Sequence, residues 1–237
     1  MPAAPRFRLW HARGSRSVRV LWMFEELGLR RGADYELATM RFPPRTHEPS
    51  FLQKNVLGTV PWLEHQEATD AAPRAAMSES CGACLYLSSL FDGNLALQPS
   101  DHGYAAFLNW IFHADATLTF PQSIVMRYGI FERGRADVAV EDYSKWYHAR
   151  LRLLNAALDD GREFLCADRF TLADICVGFA LHNASEDGLC GTGLRAHGVT
   201  PLSSRHKPAV AAYLARLVQR PAWHRVQEID ADESETT

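Results

Sequence analysis

Residues 11–29 read HARGSRSVRVLWMFEELGL, and this stretch decides the architecture of the amino-terminal part of the chain. It begins at the end of Phe7–His11 (FRLWH), which has the short apolar character of a β-strand. From about Ser17 to Leu29 the period changes. Val20, Phe24 and Leu27 share one helical face, Arg19 and Glu26 lie on the opposite one, and Gly28 and Gly32 end the run. Two hydroxyls, Ser15 and Ser17, stand where strand gives way to helix. A serine there can cap the helix through its side-chain oxygen. It can also seat an anion, because helix starts carry unpaired amides and a partial positive charge.

Read outward, the pattern continues. DYELATM predicts a second strand over Tyr35–Met40, and RFPPRTHEPS a proline-rich, charged loop. PSFLQKN predicts a short helix and LGTVPWLEH a turn into a third strand. A polar insert, QEATDAAPRA, precedes an edge strand at Ala75–Met77, and SESCGACLYLSSLF is helical from about Glu79. DGNLALQPSD has the composition of a linker. Beyond it helices are expected over Asp101–Tyr128, Asp137–Leu158, Leu172–Ser185, Pro208–Gln219 and Pro221–Glu228, interrupted by a glycine-rich loop, EDGLCGTGLRAHGVTPLSSR. The tail IDADESETT is acidic and apolar-poor, and is expected to be disordered. The expected division is a small α/β domain over 1–92, a linker over 93–99, an all-helical domain over 100–229 and a tail over 230–237.

The bulk composition narrows the function classes. The chain has 237 residues, 47% hydrophobic and 22% charged, with a formal net charge of −3. These values suit a globular protein of one or two domains. There is no concentrated basic stripe of the kind a nucleic-acid binder shows, so none is expected as a partner. No apolar run reaches membrane-spanning length, and the amino end lacks the apolar core of a secretory signal. Five cysteines without an export signal predict reduced thiols and a cytoplasmic setting.

Local motifs add chemistry. Pro61 heads a strand, where its missing N–H is tolerated. As a dipeptide Val60-Pro61 is expected trans; a cis bond would turn the Val60 backbone toward an extended peptide ligand. Ser78 is the natural N-cap of the helix that follows it. At that helix start Ser80 could hold a carboxylate and Glu79 an ammonium, although Glu79 also simply complements the helix dipole. Thr171 and Asp174 have capping-box spacing, so Asp174 is read as structural. Cys81 and Cys84 form a CxxC inside a helix and read as small packing residues. GTGLRA (Gly191–Ala196) lacks a preceding strand and reads as a loop rather than a dinucleotide fingerprint. His113 and Asp115 lack a third ligand, so no metal site is expected.

Together these pieces resemble the soluble glutathione S-transferase superfamily, in a serine-type, bacterial-like form. The matching stretches are GSRSVRVLWMFEELGL, NVLGTVPWLE, MSESCGACLYL, FTLADI and YLARLVQRPAW, in the family's order from about Phe7 to Val226. The resemblance implies a thioredoxin-like domain with a mixed four-stranded sheet, followed by a helical bundle. It implies glutathione as co-substrate. The tripeptide backbone would pair with Val60 ahead of a cis Pro61, its γ-glutamyl end would meet Glu79 and Ser80, and its glycyl end would meet Lys54, His47 or Arg45. The thiol activator in this family is a tyrosine, a serine or a cysteine. The first tyrosine is Tyr35 and the first cysteine Cys81, so the implied group is Ser15, with Ser17 or a backbone amide of GSRS as alternatives. The electrophile is expected against a partly aromatic helix carrying Trp110, His113, Phe120 and Tyr128. The implied activity is thiol transfer to apolar electrophiles, a detoxification chemistry, by a homodimer. Ether cleavage, dehalogenation, isomerisation, disulfide reduction and a non-catalytic binding or regulatory role are the alternatives.

Overall fold

The computed structural model describes residues 6–67, 72–91 and 94–232. It forms two compact units. One comprises residues 1–93 together with 220–237, the other 94–219. Part of the polar insert, the first residues of the linker stretch and the last five residues of the tail lie outside the described residues. Among the described residues, no helix is long and apolar enough to cross a membrane.

The first unit opens with β1 (Phe7–His11), α1 (Val18–Glu26) and β2 (Tyr35–Thr39). Strand β1 pairs in parallel with β2, the outcome of a crossover through α1, with Phe7 opposite Tyr35 and His11 opposite Thr39. The stretch expected as a proline-rich loop instead holds a one-turn helix, α2 (Pro44–His47), followed by a 3₁₀ turn over Pro49–Gln53. Pro44 occupies the first helical position, where its missing N–H goes unneeded. β3 (Trp62–His65) runs antiparallel to β1, and β4 (Ala75–Met77) antiparallel to β3, giving the sheet order β2-β1-β3-β4. α3 (Ser80–Leu90) follows. This is a mixed four-stranded, thioredoxin-like sheet.

One face of that sheet is sealed by a cluster of Trp10, Ala12, Met40, Phe51 and Val60. On α1, residues Val18 to Glu25 are all buried, so the helix is not amphipathic in the structure. Arg19, expected on the polar face, is among the largest fully buried side chains. The reason lies at the far end of the chain. α1 packs against α3 on one side and against the last helix, Pro221–Ala231, on the other. Glu26 accepts two hydrogen bonds from Arg220 at 2.7 and 2.8 Å, and Glu25 accepts one from Arg225 at 2.7 Å. The charges on the outer face of α1 are therefore matched by this closing helix. Its extent also corrects the tail expectation, since Asp230 and Ala231 are helical.

The second unit is helical. A continuous run contains α4 (Tyr104–Phe112), a π-helical stretch (His113–Thr119), α5 (Phe120–Met126) and a second π-helical stretch (Arg127–Phe131). α6 spans Asp137–Leu158, α7 Leu172–Ala184, α8 Leu189–Ala196, α9 Pro208–Leu217, and the closing helix already described is α10. α8 occupies the sequence expected to be a glycine-rich loop. The capping box of α7 is present, with the Thr171 N–H donating to Asp174 Oδ2 at 2.8 Å.

In this unit Tyr147 Oη lies 2.9 Å from His206 Nε2. Burial, and then the neighbouring His148, push His206 down from 6.5 to about 4. A histidine held neutral in the fold contributes stability that is complete above its ordinary value and is lost as pH falls through 6.5 toward 4. The loss is at most about 3 kcal/mol. Urea midpoints at pH 7 and pH 4.5 should therefore differ less in His206→Gln than in the wild type. An unchanged difference would remove His206 as a cause of acid sensitivity.

Candidate functional site

The turn between β1 and α1 carries a buried polar chain. Ser15 Oγ lies 2.6 Å from Ser17 Oγ, and Ser17 Oγ lies 2.8 Å from His11 Nδ1. His11 Nε2 lies 2.9 Å from Asp230 Oδ1 on α10. That last contact is close but not aligned as a hydrogen bond, so its character is electrostatic. The Gly14 N–H donates to both oxygens of Asp230, at 3.0 and 3.2 Å, which ties the turn to the closing helix. Gly14 has φ +64°, a conformation that glycine adopts without a Cβ penalty.

Ser17 stands at the N-cap position of α1, but its side chain makes no capping bond. Its hydroxyl faces His11, Ser15 and Ala12, accepting from the Ala12 N–H at 3.3 Å. Ser17 is fully buried, and Ser15 is 5% exposed. The amides of the turn are largely engaged. Gly14 N–H serves Asp230, Ser15 N–H donates to Ala12 O at 3.0 Å, and Ser17 N–H donates to Ser15 Oγ at 3.3 Å.

The other two motifs are drawn to the same turn. Val60 packs in one cluster with Ala12. The Val60-Pro61 bond is cis, against the expectation from the dipeptide alone and as the resemblance implied. Val60 precedes β3, outside the paired register that begins at Trp62. Arg19, in the first turn of α1, donates to Ser80 Oγ at 2.9 Å at the start of α3. That places a buried guanidinium beneath a helix N-terminus, two sources of positive potential side by side. Glu79 is the exposed N-cap residue of α3, so Ser78 is not its cap.

The three candidates for a glycyl carboxylate differ in their surroundings. Lys54 Nζ is paired with Glu64 at 3.0 Å and sits 4.8 Å above the Trp10 ring. His47 is exposed at the end of α2 and lines a cavity of about 480 Å³ with Arg13, Thr39, Arg41 and Asp230. Arg45 is exposed on α2.

The four aromatic-helix residues are not gathered in one place. Trp110 and His113 are buried together, their rings edge-on at 5.4 Å. Burial, and then Arg150, push His113 down from its ordinary value. Phe120 is 47% exposed and packs edge-on against Tyr143 and Trp146. Tyr128 lines a different cavity, of about 650 Å³, with Arg133, Lys145 and Arg205. All five cysteines are free and buried. Burial raises the Cys84 thiol well above its ordinary value, which disfavours the reactive thiolate.

Reading the sequence missed His11, Arg19 and Asp230. His11 and Arg19 lie inside periodic strand and helix patterns, and Asp230 lies within an acidic stretch 216 residues from Gly14. No local signal joins residues so far apart.

Comparison with known proteins agrees with this architecture. Residues 5–71 match the family model described as glutathione S-transferase, N-terminal domain, and residues 147–216 match glutathione S-transferase, C-terminal domain. No curated protein matches the sequence. Among solved structures, a glutathione transferase from Phanerochaete chrysosporium in complex with oxidized glutathione superposes with a TM-score of 0.76 at 22% identity, over 98% of this chain and 99% of that one. A glutathione transferase family member from Pseudomonas fluorescens with two glutathione bound gives 0.76 at 23% identity, over 96% and 94%. A sphingomonad glutathione S-transferase complexed with glutathione gives 0.71 at 21%, over 94% and 98%. The two family models together cover more than half of the chain, in the order in which the two units occur, and the protein belongs to the glutathione S-transferase superfamily.

Proposed function

We propose that this protein is a glutathione transferase in which the Ser15 hydroxyl holds the glutathione sulfur as a thiolate for attack on an apolar electrophile. The observation that carries this reading is the pair of hydroxyls at the opening of α1, with Ser17 fully buried and Ser15 5% exposed. Three amides of the same turn are engaged within the protein, which favours a hydroxyl donor over a bare backbone one.

The residues present fit the tripeptide. Arg19 donates to Ser80 Oγ, so the Ser80 hydroxyl hydrogen is left for a ligand carboxylate, with the α3 dipole and the Arg19 charge adding to the attraction. Glu79 is exposed to receive an ammonium. Val60 offers its backbone from the position ahead of the cis Pro61. His47 suits the glycyl carboxylate better than Lys54, whose charge is already matched by Glu64. An apolar electrophile and a cytoplasmic homodimer belong to the same reading.

The energetics are sufficient. A free thiol titrates near 8.5, so ionisation at neutral pH needs about two units of stabilisation, or about 2.7 kcal/mol. One hydrogen bond to a charged acceptor supplies about 1.5–3 kcal/mol. Ser15→Ala should therefore lower turnover of an aromatic electrophile by up to about 100-fold, with glutathione affinity little changed. Ser17→Ala should fall in between, and the double variant should match Ser15→Ala. Wild-type turnover in the double variant would end the hydroxyl mechanism. Tight glutathione binding without turnover across a broad electrophile panel would instead mark a binding protein.

A further inference from the structure

We propose that His11, acting through Ser17 and Ser15, takes the proton that leaves the glutathione thiol, and that Asp230 holds the resulting imidazolium. This assignment rests on the transferase reading above and adds to it two residues, His11 and Asp230, that act without touching the tripeptide.

The geometry sets the direction of each proton. A carboxylate 2.9 Å from Nε2 selects the imidazole tautomer that carries its hydrogen there, which leaves Nδ1 as an acceptor. Ser17 then donates to His11 Nδ1 at 2.8 Å, and Ser15 donates to Ser17 Oγ at 2.6 Å. The other acceptor within reach of the Ser17 hydroxyl, Ala12 O, is farther away at 3.5 Å. In this resting arrangement both hydroxyl hydrogens point inward, and Ser15 presents a lone pair outward. It can accept a thiol hydrogen but has no hydrogen to give a thiolate.

A concerted shift resolves this. The thiol hydrogen passes to Ser15 Oγ as the original Ser15 hydrogen passes to Ser17 Oγ and the original Ser17 hydrogen passes to His11 Nδ1. Each serine ends neutral, with one hydrogen. The S–H bond is broken, its electron pair stays on sulfur, and His11 carries the net positive charge. Every hydrogen bond in the chain is now reversed. His11 donates to Ser17, Ser17 to Ser15, and Ser15 outward to the thiolate. The proton stays inside the protein, and the new anion and new cation are linked through two hydroxyls.

Charged groups from several elements face this chain. Asp230 lies in α10, held by the Gly14 amide. Asp232 follows that helix and is paired with Arg31 at 3.2 Å. Arg13 of the turn, Arg41 beyond β2 and His47 of α2 line the same cavity as Asp230 and Asp232. Of these, Asp230 is the carboxylate in contact with the imidazole.

The test counts protons. Glutathione binding at neutral pH is followed by ultraviolet thiolate absorbance, and by calorimetry in buffers of different ionisation enthalpy. S-methylglutathione, which has no thiol hydrogen, serves as the reference. The expected result is thiolate formation with little extra proton release over the reference. In His11→Asn the thiolate fraction at neutral pH should fall about tenfold or more, and thiolate formed at higher pH should release its proton to solvent. Asp230→Asn, which leaves the interior of β1 untouched, should lower the fraction several-fold, and Asp230→Glu should recover part of it. One proton released per thiolate in the wild type would overturn the relay and leave the transferase reading standing. Glutathione binding with no thiolate at all would remove both.

Discussion

Asp174→Ala should destabilise the protein by about 3–5 kcal/mol in urea unfolding, an effect at the upper end for a single substitution. The carboxylate is fully buried and collects four donors: Leu165 N–H at 3.0 Å, Thr171 N–H at 2.8 Å, Thr171 Oγ1–H at 3.1 Å and Tyr213 Oη–H at 2.7 Å. Burial pushes its carboxyl up from the ordinary carboxylate range, and the hydrogen bonds offset this only in part. Removing the side chain leaves those buried donors without partners, each at about 1–3 kcal/mol before relaxation. It also frees the loop before α7 and the α9 tyrosine from the start of α7. Asp174→Asn should fall between, since one oxygen becomes an amide that faces donors. Asp159→Ala, at an exposed position, should change stability by less than about 0.5 kcal/mol. A loss under about 1 kcal/mol in Asp174→Ala would show that the network contributes little.

The second large effect is steric. A Cβ on Gly191 would stand 1.8 Å from the Ser185 carbonyl oxygen and 2.6 Å from its carbon. Those atoms belong to the backbone at the end of α7, so no side chain can swing aside. Gly188 is similarly placed, 2.0 Å from the His182 oxygen. Gly191→Ala should cost about 3 kcal/mol or more, because α8 must be pushed off the end of α7. Gly161→Ala is the useful comparison. Its φ is +81° and nothing lies near its missing Cβ, so only backbone strain of about 1–2 kcal/mol is expected. Equal losses in the two variants, read from thermal midpoints, would contradict the close approach.

These two sites show different relations between sequence and structure. The capping half of the Asp174 network is legible because cap and partner lie three residues apart. The Tyr213 half is not, because it crosses 39 residues. Around α8, three glycines within six residues lower helix propensity by about 1 kcal/mol each, and local reading therefore favours a loop. The helix forms because Gly188 and Gly191 let its backbone touch the end of α7 and Gly193 admits the Ile130 side chain, which are packing contacts rather than a preference of the segment.

The same division runs through the candidate site. Ser15, Ser17, Val60 and Ser80 were legible because each sits at a strand-to-helix turn, a strand start or a helix start, features that a few neighbouring residues specify. Their partners were not. Arg19 looks like a surface residue until α10 and α3 close over α1, and the reach from Arg19 to Ser80 follows only from that packing.

From local pattern alone, the chain determined the order of its four strands and of its longer helices, the span Phe7–His11 of β1, the span Asp137–Leu158 of α6 and the hydroxyl pair at the opening turn, because period, caps and breakers act over a few residues. Only the tertiary structure decided that His11 stands behind that pair and that Asp230 stands behind His11. A polar chain closed across more than two hundred residues is set by how the last helix packs against the first, and no short window of sequence contains that information.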